Sequence, residues 1–331
     1  MSNRIFIPSF TGPLSKQLIG FLQEKRMSGI KYSSEAWRLL QIDKLSININ
    51  VPKDTLTKEL FEIWCKRTST ESVKTWKARM VVISQLSKYF INNNYPCYKT
   101  QIEYNSISNK SAFIPHIFTD KELKAIFNSA DNLNSPLSSQ NRRDVSSLLF
   151  RTLYSCGLRI DEALSLLIKD VDFEKGVFTI FHAKNNIPRY VPMSKELLSL
   201  CNSYKKKVLN NKKDNSYFFA SPTGSKYSMS TIHYMWFQIL KQSKIQKDDN
   251  GPRIHDLRHT FAVHCLKKWV DKNMNINSLL PVLSTYMGHK SMSSVNKYLR
   301  LTADVYPNIT NSIEKYFGYI IPDGGYLNEE E

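Results

Sequence analysis

Apolar residues recur every three to four positions through most of the first hundred residues. Leu14, Leu18, Phe21 and Leu22 share one helical face, and so do Trp76, Met80, Ile83 and Phe90. Two more helices are expected at 33–44 and, after Pro52, at 55–67; no stretch here alternates as a strand would. The periodicity stops in a polar run from Asn105 to Ala112, and residues 105–116 are expected to link two domains. Thr119 and Glu122 then have the spacing of a capping box, which should start the next helix. Residues 145–154 form a strongly apolar helix, and a second at 159–167 turns Leu164, Leu167 and Ile168 inward. Residues 177–181 and 187–191 are rich in β-formers around a short Asn-containing turn, which predicts a hairpin. Residues 217–220 are expected to add a third strand, and 228–243 another helix. Residues 309–317 have the pattern of a short amphipathic helix before a Gly-rich, acidic end at 323–331.

A chain of 331 residues exceeds what one compact core usually holds, so two domains are expected. Lys and Arg number 46 against 29 Asp and Glu, a formal charge of +17. Such an excess points to a polyanionic partner, nucleic acid before others, with a ribosome-associated or merely basic surface protein as the plainer alternative. No apolar run approaches the ~20 residues of a membrane span, and the first residues lack the apolar core of a signal peptide. The expected location is therefore cytoplasmic, with no membrane partner. Five scattered cysteines without a Cys-x-x-Cys pair argue for reduced thiols rather than a disulfide framework or zinc cluster.

Two polar segments interrupt the apolar pattern near the end. In residues 253–262, His255 and Arg258 are three positions apart, which places both on one side of a helix. In residues 287–299, His289 follows a glycine and Tyr298 comes nine positions later on helical spacing. An arginine, two histidines and a tyrosine suit phosphodiester chemistry: a planar clamp for anionic oxygens, proton donors and acceptors, and a nucleophile. His255, His259 and His264 also include a His-x-x-x-His spacing that can bind zinc. Asp256 stands where a zinc protease carries Glu, and a metalloprotease would leave the basic charge unexplained, so no metal is expected.

These segments resemble the C-terminal signature of the tyrosine recombinases, the phage integrase family: His-x-x-Arg on a helix, Gly-His, then Tyr. Upstream, Gly157-Leu-Arg-Ile-Asp-Glu162 resembles the family's Gly-Leu-Arg-x-x-Glu box, and residues 178–192 resemble the hairpin that carries its lysine. The boxes stand in family order across residues 117–300. Where the family often has Gly-Lys-Gly at the hairpin turn, this chain has Ala183-Lys184-Asn185, and Asn tolerates the positive φ such a turn needs.

The resemblance implies a mostly α fold with a small β-sheet. A helical core-binding domain (1–104), the linker (105–116) and a mixed α/β catalytic domain (117–303) would make a C-shaped clamp on duplex DNA. A C-terminal helix and tail (304–331) would dock on a neighbouring subunit or fold back on its own domain. It implies Arg159 and Arg258 on the phosphate, Tyr298 as nucleophile, and Lys184 as the acid for the leaving 5′-oxygen. His255 and His289 would handle protons, and Glu162 would support the site. Arg189, on the same hairpin as Lys184, is expected to contact DNA backbone. Lys74, Lys77 and Arg79 fall at polar positions of the fourth helix; taken alone they read as a solvated face, and the resemblance turns them toward DNA. The implied activity is site-specific recombination through a 3′-phosphotyrosine and a Holliday junction, without cofactor, metal or ATP. The implied partners are double-stranded recombination sites, a homo-tetramer and an accessory DNA-bending or directionality factor. A type IB topoisomerase-like enzyme and a catalytically idle DNA-binding protein are the alternatives. Phage integration, transposition and chromosome-dimer resolution all remain open as the biological task.

Overall fold

Several helix starts in this chain are set by side chains that occupy the orphan amides of the first turn. A computed structural model describes residues 6–98, 114–181, 188–245, 251–289, 298–302, 305 and 306. The chain divides into two compact units, 1–113 and 114–331.

The first unit holds α1 (Ser15–Met27), α2 (Ser33–Asn48), α3 (Lys58–Cys65) and α4 (Val73–Asn92). Thr57 and Ser72 cap α3 and α4 by accepting from Leu60 and Thr75 backbone N–H groups. Leu14, Leu18, Phe21 and Leu22 are buried as their spacing demands, and Met80, Ile83 and Phe90 of α4 likewise. Trp76 lies at the edge of that core, its indole donating to the Cys65 carbonyl at 2.6 Å. A buried carboxylate, Asp43, accepts from the Thr11 amide at 2.8 Å and the Gly12 amide at 3.1 Å, which ties the entering chain to α2.

Arg79 departs from the sequence expectation. Its side chain is only 15% exposed and forms a two-point pair with Glu71, both contacts at 2.7 Å. It also donates to the carbonyls of Trp64 at 2.6 Å and Lys66 at 3.1 Å. With four N–H groups engaged inside its own unit, this guanidinium braces the α3–α4 connection. Lys74 is exposed and Lys77 half-buried on the same helix.

In the second unit Thr119 and Glu122 do form a capping box, at the start of α5 (Asp120–Asp131). Helix α6 (Arg142–Ser155) buries Val145, Leu148, Leu149, Phe150 and Leu153 and packs against α5, α8 (Lys195–Val208) and α10 (Asp256–Asp271). Between α6 and α8 come the short α7 (Ile160–Leu164) and a three-stranded antiparallel sheet in the order β1 (Val171–Asp172), β2 (Val177–Ile180), β3 (Arg189–Pro192). The hairpin pairs Phe178 with Val191 and Ile180 with Arg189. Its turn, with Lys184, lies outside the described residues, as do residues 105–113 and 309–317.

The third strand is therefore β1 rather than residues 217–220. Phe218 and Phe219 are consecutive and both fully buried, so the segment fills the core on both sides and lacks the one-face alternation of a half-buried strand. Tyr217 keeps one isolated bridge, to Leu167. Helix α7 is also shorter than expected, because Leu166 leaves it to accept from the Phe218 amide at 2.8 Å. Helices α9 (Met229–Gln242) and α11 (Ile276–Met287) complete the named elements. All five cysteines are free thiols, and no described helix is long and apolar enough to cross a membrane.

Candidate active site

The site is organised on the C-terminus of α11. Gly288 takes the left-handed conformation there, φ +67°. Its amide donates to the Thr285 carbonyl at 3.0 Å and the His289 amide donates to Ser284 at 2.9 Å, the paired bonds of a Schellman cap. The cap fixes His289 at the helix end. It leaves the carbonyls of Tyr286, Met287 and Gly288 pointing out with the negative end of the helix dipole, which attracts cations.

Three arginines take those carbonyls. Arg189 Nε donates to Tyr286 at 2.9 Å, Arg258 Nη2 to Met287 at 2.7 Å and Arg159 Nη2 to Gly288 at 3.2 Å. Arg258, in the first turn of α10, is 2% exposed. Its other arm donates to the Gly157 carbonyl at 2.5 Å, and Nη2 reaches His289 Nε2 at 2.8 Å. Guanidinium can only donate, so Nε2 accepts and the proton of neutral His289 sits on Nδ1. That Nδ1 is buried with no hydrogen-bond partner among the described residues. Gly157 is itself in the left-handed region, and a Cβ there would meet the Phe261 ring at 2.4 Å; only glycine lets α10 approach the Arg159 turn this closely.

Arg159 is the N-cap residue of α7. Its guanidinium bonds Glu162 Oε1 at 2.8 Å while the Glu162 carboxylate accepts the Arg159 amide at 3.0 Å. Glu162 is buried and also bound by Arg189, at 2.7 Å. Burial alone would raise its pKa, but the hydrogen bonds and charges of Arg189 and Arg159 outweigh that and hold it below the usual range. Burial lowers Arg258 to about 10, still protonated at neutral pH.

Residues 298–302 are helical and bring Tyr298 into this cluster at 4% exposure. Its ring lies nearly parallel to that of His289, with centroids 5.7 Å apart, and is 5.5 Å from His259. Burial raises the phenol pKa, while the charge and hydrogen bond of Arg258, and then Arg159, pull it back. His255 sits at the N-cap of α10, on the solvent side, edge-on to His259 at 4.8 Å.

The structure thus gathers Arg159, Glu162, His255, Arg258, His289 and Tyr298. It also brings in two residues that sequence reading misplaced or passed over. Arg189 is 8% exposed, and its Nε, Nη1 and Nη2 each donate within the cluster, to Tyr286 and Glu162, which makes it part of the site's frame. His259 was visible only as a zinc-like spacing to His255. The zinc pattern does not converge: His264 turns away to bond the Tyr154 hydroxyl at 2.9 Å, and no metal-holding cluster occurs among the described residues.

The crowded imidazoles give a pH signature. Burial, then neighbouring imidazole and arginine charge, lowers His259 to about 3; burial, then Arg258, Arg159 and Arg189, lowers His289 to about 4. An unfolded histidine titrates near 6.5. Between about pH 6.5 and 4 the unfolded chain takes up protons the folded one refuses, so stability is lost as pH falls through that window. The slope is up to about 1.4 kcal/mol per pH unit for each such histidine. The urea midpoint of the second unit should be level from pH 7 to 8.5 and fall steadily from pH 6.5 to 4.5. A midpoint flat down to pH 5 would mean the imidazoles are not held neutral.

The sequence profile described as the phage integrase family matches residues 116–304. The chain belongs to the phage integrase family. The tyrosine recombinases among its relatives include XerA of Pyrococcus horikoshii, 30% identical over 203 residues (61% of this chain, 61% of that one), and XerC of Pediococcus pentosaceus, 23% over 285 residues (84% and 83%). The protein named integrase/recombinase y4rB in Sinorhizobium fredii is 26% identical over 268 residues (78% and 84%). The match to XerA spans less than two thirds of that relative. The fold is shared with the Tn1549 transposon integrase in complex with transposon right end DNA, at TM-score 0.60 and 15% identity (91% and 99% covered). It is shared equally with the XerH site-specific recombinase bound to its difH substrate, at TM-score 0.60 and 22% identity (85% and 78%). Family membership places this tyrosine recombinase among enzymes that cut and rejoin DNA strands.

Proposed function

We propose that the chain is a site-specific recombinase that cleaves DNA by attack of Tyr298 on a backbone phosphate. The observation that carries this is the convergence of two guanidiniums, Arg159 and Arg258, on the same helix end as His289, with the Tyr298 ring against that imidazole. A phosphodiester resists attack because its anionic oxygens repel nucleophiles and its leaving alkoxide is poor. Fixed guanidiniums answer the first difficulty without reorganising in the transition state. The Tyr298 oxygen bonds to phosphorus as the bond to the 5′-oxygen breaks. The phenol proton passes to the His255 imidazole, His289 offers its Nδ1 proton to a phosphate oxygen because its Nε2 is taken by Arg258, and Lys184 of the hairpin gives a proton to the leaving oxygen. The 3′-phosphotyrosine conserves the bond energy, so the freed 5′-hydroxyl of a partner strand can reverse the step without ATP.

Double-stranded recombination sites are the proposed substrate, held through backbone phosphates in which Lys74 and Lys77 of α4 take part. Strand exchange through a Holliday junction calls for two sites and four protomers, with an accessory factor where the reaction has a direction. The working place is the nucleoid.

The test uses a duplex site, found by footprinting DNA beside the gene, with a nick next to the cleavage position so that religation is blocked. Digestion of the trapped adduct and mass spectrometry should return one nucleotide-bearing peptide, modified at Tyr298, with the DNA joined by its 3′ end. An adduct on another tyrosine, or bound DNA with no adduct, would overturn the assignment.

A further inference from the structure

Glu162 is shared between two arginines. Its Oε1 accepts from Arg159 Nη1 at 2.8 Å and from Arg189 Nη1 at 3.1 Å; its Oε2 accepts from Arg189 Nη2 at 2.7 Å and from the Arg159 amide at 3.0 Å. The two arginines reach it from opposite directions in sequence, one from the start of α7 and one from β3. The third donor group of Arg189, Nε, closes on the Tyr286 carbonyl at 2.9 Å. Beneath the helix end the fit is tight: a Cβ on Gly288 would lie 2.9 Å from Arg189 Nη1 and 3.0 Å from its Cζ. The guanidinium therefore fills the space under the residue that precedes His289.

The charges explain why a second arginine is needed. A buried carboxylate paired with Arg159 alone would cancel the charge that Arg159 offers to a phosphate, because Coulomb attraction at hydrogen-bond distance is strong where water is excluded. With Arg189 on the same carboxylate, Arg159, Glu162 and Arg189 together carry +1, and Arg258 makes +2. A phosphodiester carries one negative charge and gains a second as a tyrosinate oxygen adds to phosphorus. The site then matches the transition state in charge rather than the ground state alone.

We infer that Arg189 is a positioning residue for strand cleavage: it neutralises Glu162 so that Arg159 stays available to the phosphate, and it seats the end of α11 that carries His289. The inference rests on the proposed roles of Arg159, His289 and Tyr298.

The experiment compares wild type, Arg189→Gln, Glu162→Gln and the double variant of the full chain on the nicked site, reading the single-turnover rate of adduct formation, site affinity by gel shift and thermal unfolding. Arg189→Gln is expected to slow adduct formation by about 100-fold while changing affinity by less than about 3-fold. The decisive arm is the double variant. Removing the carboxylate charge, which without Arg189 falls on Arg159 alone, should restore at least about 10-fold of the lost rate. Arg189→Lys, which keeps the charge but not the fork, should fall between wild type and Arg189→Gln. Three results would overturn the inference. One is a fall in affinity with a salt slope shallower by about one, which would return Arg189 to DNA contact. Another is a rate that falls with the unfolding temperature and is not restored in the double variant, which would leave only a structural role. The last is no adduct with the wild-type protein itself. That result strikes the catalytic reading first, and is distinguishable from an active wild type whose Arg189→Gln loss is not rescued.

Discussion

Tyr298→Phe is expected to abolish covalent capture of DNA, lowering adduct formation by at least about 10⁴-fold, while site affinity changes by less than about 2-fold. The separation follows from where the hydroxyl sits. The phenol is buried at 4% exposure against the His289 and His259 rings, so it contributes little surface to a bound duplex. Phenylalanine keeps those ring contacts and loses only the oxygen. The variant should therefore fold, at a cost of about 1 kcal/mol for the hydrogen bond to Arg258. The neighbouring tyrosines cannot take over. Tyr286 spends its hydroxyl on the Pro192 carbonyl at 3.1 Å, and burial drives its pKa up strongly. Tyr306 has its ring beneath the Lys267 ammonium, 5.3 Å away. The check is a denaturing gel of the nicked-site reaction beside a native gel of the same mixtures. A shifted band on the native gel without an adduct on the denaturing gel is the expected outcome. An adduct that persists would move the nucleophile elsewhere in the chain.

The parts of this molecule that sequence made legible share a property: their signal is local. The helical faces of Leu14, Leu18 and Phe21 or of Met80, Ile83 and Phe90, and the Thr119–Glu122 capping box, are fixed by neighbours within a turn or two. The boxes around Arg159, Arg258, His289 and Tyr298 were legible for a different reason, as a family pattern whose parts come in order. What sequence hid depends on long-range placement. Arg189 pairs with a carboxylate 27 positions away and a carbonyl 97 positions away, and nothing in residues 187–191 marks it as more than a basic residue on a hairpin. Arg79 looked like one more cation on a polar helix face until Glu71 folded onto it. Residues 217–220 read as a strand because Tyr and Phe favour strands, but two adjacent buried phenylalanines belong to a core-filling loop. Burial and pairing decide whether a cation is a ligand for DNA or a brace, and neither is written in spacing.

Arg258→Lys should be nearly as damaging to cleavage as loss of the nucleophile and, unlike it, damaging to the fold. Arg258 joins three places at once: the Gly157 carbonyl at 2.5 Å, the Met287 carbonyl at 2.7 Å and His289 Nε2 at 2.8 Å. The first of these is 101 positions away in sequence and the second 29. A planar fork reaches both carbonyls from one position; an ammonium on a flexible stem is a point charge and must choose. Because Arg258 is 2% exposed, an acceptor abandoned beside it is shielded from water, so about 1–3 kcal/mol of stability is lost. For a unit of this size that is a fall of roughly 2–10 °C in unfolding temperature. Catalysis loses more. Without the fork His289 is no longer held in the tautomer that leaves its proton on Nδ1, and one of the two rigid charges facing the phosphate is gone, together worth about 10³-fold in rate. Arg159→Lys supplies the contrast. The Arg159 side chain is 24% exposed and its carbonyl contacts are longer, at 3.2 and 3.5 Å. It should lose a similar factor in rate with little change in stability. Single-turnover adduct formation and thermal unfolding of both variants separate the two cases. If Arg258→Lys and Arg159→Lys lost stability equally, Arg258 would not be the residue that fastens α10 to the end of α11.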